Sequence, residues 1–183
     1  MNYATIKNCD IANGPGVRVS LFVSGCTHRC KGCFNEVAWD FNYGQPFTQE
    51  TVNLILEMLR PDYIKGLTLL GGEPFEPQNQ GAIVGLLRQV KGKYPDKSIW
   101  AFSGYLFDRD ILPGKLGDPE ITREFLSYLD VLVDGPFIES KKNLSLRFRG
   151  SENQRLIDVQ RSIKEGSVIS WDDWQGHGKG MKI

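Results

Sequence analysis

The chain has 183 residues, 40% of them hydrophobic, a size and composition that suit one compact domain better than two. Its 22 Lys and Arg balance 22 Asp and Glu, so it lacks the basic excess that neutralises phosphates, and a nucleic acid is not expected as its main partner. No run approaches the roughly 18 consecutive apolar residues of a membrane span, and Met1–Asp10 has no apolar signal core, so the expected setting is the cytoplasm, away from membranes.

In chain order, Val17, Val19, Leu21 and Val23 alternate at period two and predict a strand that Gly25 ends. Thr48 is a candidate N-cap, after which Val52, Ile55, Leu56 and Leu59 recur at helical spacing until Pro61. Leu67–Leu70 reads as a short buried strand closed by Gly71 and Gly72. Ile83, Val84, Leu87 and Val90 then mark a second helix, which runs to the turn at Tyr94-Pro95-Asp96. Ser98–Ser103 is the next strand, and a third helix with Ile121, Phe125 and Leu129 leads into the apolar Val131–Val133.

Strands and helices that alternate in this way imply an α/β fold with a largely parallel sheet. A closed eight-stranded barrel needs about 250 residues and each βαβ unit about 30, so the stretch from Val17 to Pro136 supplies four or five strands. The expected architecture is therefore an open, incomplete (βα) barrel. A single domain is expected over 1–165. The charged, glycine-rich sequence of 166–183, including an uncommitted His177, reads as a loosely held tail.

Three of the four cysteines fall in Cys26-Thr-His-Arg-Cys30-Lys-Gly-Cys33, with spacing C-x3-C-x2-C, directly after the first predicted strand. The carboxyl ends of strands are where α/β folds build their sites. Such clustering fits a metal site better than a disulfide framework, whose partners are spread along the chain. Structural zinc wants four protein ligands, whereas a cubane iron–sulfur cluster held by three cysteines leaves one iron open to a small molecule. His28 lies between Cys26 and Cys30, where closing a zinc tetrahedron would crowd the loop. Arg29, Lys31 and Gly32 do not belong in a core, which speaks against three unconnected buried cysteines.

The C-x3-C-x2-C motif followed by the aromatic Phe34 resembles the radical S-adenosylmethionine (SAM) superfamily. More narrowly, Asn13-Gly-Pro-Gly16, Phe22-Val-Ser-Gly25-Cys26, Gly71-Gly-Glu-Pro74, Val131-Leu-Val-Asp-Gly135 and Arg149-Gly-Ser-Glu-Asn-Gln154 resemble the activating enzymes of anaerobic ribonucleoside-triphosphate reductase, over most of the chain. The resemblance implies a 4Fe-4S cluster on Cys26, Cys30 and Cys33, with SAM on the fourth iron. It places Gly32, Cys33, Phe34, Gly71, Gly72 and Glu73 against SAM, the Gly-Gly-Glu-Pro segment taking its amino group. The implied reaction is reductive cleavage of SAM to methionine and a 5'-deoxyadenosyl radical that takes hydrogen from a glycine of the reductase's large subunit. The electron would come from a low-potential donor such as flavodoxin or ferredoxin. An activase of another glycyl radical enzyme, such as formate acetyltransferase, is the enzymatic alternative. A structural zinc-binding interaction module is the alternative of a different class.

Other positions keep two readings. Gly71 and Gly72 serve either a ligand's close approach or a plain strand-ending turn, and Asp134-Gly135 either a carboxylate at the site mouth or an ordinary turn. Ser103-Gly104-Tyr105 reads first as a strand exit. Cys9, alone in its segment, is expected to be a small buried hydrophobe. The stripes around Ile55 and Ile83 are core, and Lys141-Lys142 a solvated pair.

Overall fold

The computed structural model describes residues 1–172. Its elements are β1 (Asn2–Asp10), β2 (Val17–Val23), β3 (Gln45–Pro46), α1 (Gln49–Leu59), β4 (Ile64–Gly71), α2 (Pro77–Lys93), β5 (Ser98–Phe102), α3 (Pro119–Tyr128), β6 (Val131–Asp134), β7 (Arg155–Asp158) and α4 (Val159–Glu165). They form one seven-stranded sheet in the order β3-β1-β2-β4-β5-β6-β7. The four central strands are parallel, and antiparallel strands flank them on both sides. The sheet is thus open and mixed, with its parallel centre where the alternation of elements put it. All seven elements expected between Val17 and Val133 are present.

Side-chain alternation sorts the sheet into two faces. Val19, Leu21 and Val23 of β2, Leu67 and Leu69 of β4, Ile99 and Ala101 of β5, and Leu132 of β6 pack with Ile55 and Leu59 of α1, Ile83 and Leu87 of α2, and Phe125 of α3. This is the main core, and it lies on the helix side, as the apolar stripes require. Residues of the other parity face a second, smaller cluster. In it Trp100, Val131 and Val133 are buried, with Phe148, Leu156 and Trp171 packed on them. The helices that contribute to the core therefore cover one face, and the opposite face is left for loops.

That loop-covered face contains a fully buried cation, Arg18. Its Nε donates to Thr68 Oγ1 at 2.7 Å, Nη1 to Ser98 Oγ at 2.9 Å, and Nη2 to the carbonyls of Leu67 and Ser98, both at 2.9 Å. The guanidinium also lies 5.6 Å from the ring centroid of Trp100. Burial pulls its pKa down to about 10, which leaves it charged at neutral pH. Thr68 in turn donates to the carbonyl of Asn13 at 2.8 Å, which ties the turn between β1 and β2 to the sheet.

Two features depart from the sequence expectations. Cys9 is exposed, with a positive φ of 60° at an irregularity in the β1–β2 ladder, so it is no buried hydrophobe. Residues 166–172 are also held: Ser170 bridges Ile157, the Trp171 amide donates to Leu156 O at 2.9 Å, and the Trp171 ring lies 4.9 Å from Trp100. The remainder of the expected tail, 173–183 with His177, lies outside the described residues. Among the described residues no helix is long and apolar enough to cross a membrane.

Candidate functional site

β2 and β4 run in parallel register from Val17↔Ile64 to Val23↔Gly71, so the loops leaving them emerge side by side at one end of the sheet. Backbone bonds join these loops. Gly72 N donates to Val23 O at 2.7 Å, Glu73 N to Gly25 O at 2.8 Å, and Gly25 N to Ala38 O at 2.8 Å. Gly25 turns the chain with φ 93°, and the ring of Phe41 fills the space where a Cβ would stand. A Cβ on Gly72 would come within 2.5 Å of Gly25 O and 2.9 Å of Ala38 O. This position is therefore reserved by the backbone of the cysteine loop itself, and the turn reading of the glycines has a concrete steric basis.

Cys26, Cys30 and Cys33 are all half-buried and line one cavity of about 430 Å3. Its walls include Gly71, Gly72 and Glu73 from the end of β4 and Phe102, Ser103 and Gly104 from the end of β5. Segment 142–150 lies opposite, contributing Asn143, Leu146 and Phe148. Gly32 and Phe34 also line it, Phe34 with 84% of its surface exposed at the rim. All the residues singled out from the sequence as cluster- or SAM-facing thus border this one cavity. Among the described residues, no three His, Cys, Asp or Glu side chains gather closely enough to hold a single metal ion.

Burial, reinforced by the charges of Glu73 and Glu76, pushes the Cys26 thiol up to about 12, and burial likewise raises Cys30. A thiol held protonated in this way is a poor nucleophile, and a metal that bound it would have to displace the proton.

Glu73 is 1% exposed, and both its oxygens are engaged. Oε1 accepts from the Phe75 amide at 2.8 Å; Oε2 accepts from the Gly104 amide at 2.7 Å and Ser103 Oγ at 3.1 Å, and lies 3.1 Å from His28 Nε2. His28, whose ring stands edge-on to Tyr105 at 4.3 Å, is thereby tied to the end of β4. Burial opposes a charge on His28, but the bond to Glu73 and the carboxylate's charge outweigh it and raise the imidazole above its usual range. Ser103 and Gly104 thus take part in the site through Glu73.

Asp134 is fully buried and faces away from this role. It accepts from the Phe107 amide at 2.7 Å and pairs with Arg155, whose Nε lies 2.9 Å from Oδ1. Only the neighbouring Gly135 reaches the cavity wall. Sequence reading missed the wall formed by Asn143, Leu144, Leu146 and Phe148, because no periodicity marks that segment. It also missed Glu76, whose carboxylate reaches Thr27. A carboxylate three residues beyond Glu73 was the available signal for the second of these.

With three thiols around one cavity at the strand ends, the class of the protein is given by its family match, that of iron–sulfur proteins with one cluster. Residues 12–157 match the family described as a 4Fe-4S single cluster domain. The chain belongs to the family of anaerobic ribonucleoside-triphosphate reductase-activating proteins. It is 46% identical to the protein of that name from Enterobacteria phage T4 over 85% of this chain and 93% of the relative. It is 43% identical to that of Vibrio cholerae and 41% identical to that of Escherichia coli K12, each over 84% of this chain and 96% of the relative.

Proposed function

We propose that this chain activates an anaerobic ribonucleoside-triphosphate reductase as a radical SAM enzyme built on a partial (βα) barrel. The observation that carries the reading is the convergence of Cys26, Cys30 and Cys33 on the cavity that the Gly71–Glu73 turn also lines, in a chain of this family. The donor set fits a 4Fe-4S cluster: the three thiols are half-buried, and no fourth cysteine joins them among the described residues. Held by Cys26, Cys30 and Cys33 and reduced, such a cluster would supply one electron to the sulfonium of SAM, so that methionine and a 5'-deoxyadenosyl radical able to take hydrogen from a glycine of the reductase would result.

The chain's own residues hold, orient and enclose. Cys26, Cys30 and Cys33 are the ligands in this reading. Gly32, Phe34, Gly71, Gly72 and Glu73 bound the space for SAM, and the Glu73 carboxylate, fixed by four protein groups, holds the β4 and β5 ends at a set separation. The rim at Phe34 and Leu144, 84% and 91% exposed, leaves the cavity open to a loop of a large partner. Such access is needed because reacting atoms must approach to about 3–3.5 Å. A low-potential donor such as flavodoxin or ferredoxin would supply the electron.

The test is anaerobic reconstitution with iron and sulfide. The unaltered chain and Cys9→Ala should show the absorption and iron content of a cubane, and single Cys26→Ala, Cys30→Ala and Cys33→Ala variants should lose it. Mixed with reductant, SAM and the reductase, the reconstituted chain should generate an electron paramagnetic resonance doublet that collapses when the target glycine is deuterated at its α-carbon. A colourless zinc-loaded product would overturn the reading. So would a doublet on formate acetyltransferase but none on the reductase.

A further inference from the structure

The cysteine loop has a side-chain anchor that no cysteine supplies. Glu76 is the N-cap residue of α2, yet its side chain makes no capping bond. Instead its Oε1 accepts from both the amide of Thr27, at 2.8 Å, and the Thr27 hydroxyl, at 2.6 Å. Thr27 follows Cys26 directly, so this carboxylate grips the chain one residue from a thiol. Glu76 is 5% exposed and has no cation within 4 Å among the described residues. Its charge is therefore buried, held by two hydrogen bonds and by the amino end of a helix, and it is not cancelled by an ion pair.

We propose that Glu76 is a positioning residue for the site. Its two bonds to Thr27 fix the first cysteine, and its uncancelled charge lowers the reduction potential of the cluster held there. The inference rests on the cluster reading above. A fixed negative charge in a poorly screened site opposes the arrival of an electron, and cluster potentials follow nearby charge. A strongly reducing cluster is what cleavage of a sulfonium requires.

Three variants separate the two effects. Glu76→Gln keeps an acceptor oxygen for Thr27 and removes the charge. Thr27→Val removes the hydroxyl bond and keeps the charge, and Glu76→Ala removes both bonds and the charge. In the cluster-free protein, amide hydrogen exchange across 26–33 should rise about fivefold in Glu76→Ala, less in Thr27→Val, and hardly in Glu76→Gln. After reconstitution, Glu76→Gln should keep its iron while its midpoint potential moves positive in a redox titration followed by paramagnetic resonance. Thr27→Val should leave the potential in place.

Unchanged exchange in both Glu76→Ala and Thr27→Val would overturn the positioning role. A midpoint unmoved or moved negative in Glu76→Gln would overturn the electrostatic one. If the unaltered chain assembles no cluster, the functional reading fails, and the exchange measurements still decide on the anchor.

Discussion

At the scale of single residues, the site depends on groups whose chemistry is easily displaced. Asp10 shows this at the turn beside the cavity. Its carboxylate accepts from the Ala12 amide at 2.9 Å and Asn13 Nδ2 at 2.6 Å, and Ala12 and Asn13 line the cavity. Burial works to raise its pKa, but the polar groups of Ser20, Asn13 and Ala12 prevail and hold the carboxyl below its ordinary 3.8. A carboxyl whose pKa is depressed on folding stabilises the native state above its unfolded value, and that contribution is lost as pH falls through the lower folded value. Asp10→Ala should therefore cost about 1–2 kcal/mol at neutral pH, and the gap from the parent should shrink as pH falls below the ordinary 3.8, as read by urea midpoints at each pH. Gly72 is governed by shape instead. Gly72→Ala pushes a methyl into two backbone carbonyls, so it should cost about 1–3 kcal/mol in thermal unfolding with or without any ligand.

Among elements, the junction of β6, β7 and the turn at 107–111 is held by one ion-pair network. Arg155 bridges the buried Asp134 and the more exposed Asp108, 2.7 Å away, while Asp134 also receives the Phe107 amide. Arg155→Met would strand Asp134 without its cation. With Arg155 itself one-third exposed, about 2–3 kcal/mol of stability should be lost, and pairing it with Asp134→Asn should recover part of that in a double-mutant cycle. The junction also shows what sequence could and could not reveal. Apart from the two-residue, exposed β3, the strands and helices between Val17 and Val133 were legible because each buries an apolar face. β1 and β7 were not: Asn2–Asp10 is half-exposed or exposed at all but its last residue and mixed in character, and Arg155–Asp158 is four residues long with polar ends. The spacing of the three cysteines marked them as one group, and they do border one cavity. The hydrogen-bond partners of Asp134, Glu73 and Glu76 were not legible, because which distant donors reach a carboxylate depends on the fold.

For the whole molecule, the loop-covered face of the sheet is closed at one end by three aromatic rings. Trp171 and Phe148 stand edge-on to Trp100 with centroids 4.9 and 5.5 Å away, and Phe148 also lines the site cavity. The last described stretch of chain thereby braces the wall of the site from behind. Trp171→Ala should lower stability by about 2–3 kcal/mol, less than a fully buried tryptophan because Trp171 is only half-buried. It should also increase hydrogen exchange in 142–150 more than in α1, which lies across the sheet. Equal increases in both segments would show that the rings serve global stability alone.

The parallel pairing of β2 with β4 has a consequence in time as well as in space. Thr27 and Glu76 are 49 positions apart, and His28 and Glu73 are 45 apart, so the contacts that shape the thiol loop are remote in sequence. Closing such distances is slow relative to forming a helix, and the loop has no strand ladder of its own to shape it sooner. The pairing of β2 with β4 spans a similar distance, Val23 to Gly71, so the three thiols take up their arrangement only when distant parts of the chain have met. A nascent chain carries them dispersed and open to oxidation until that step is complete.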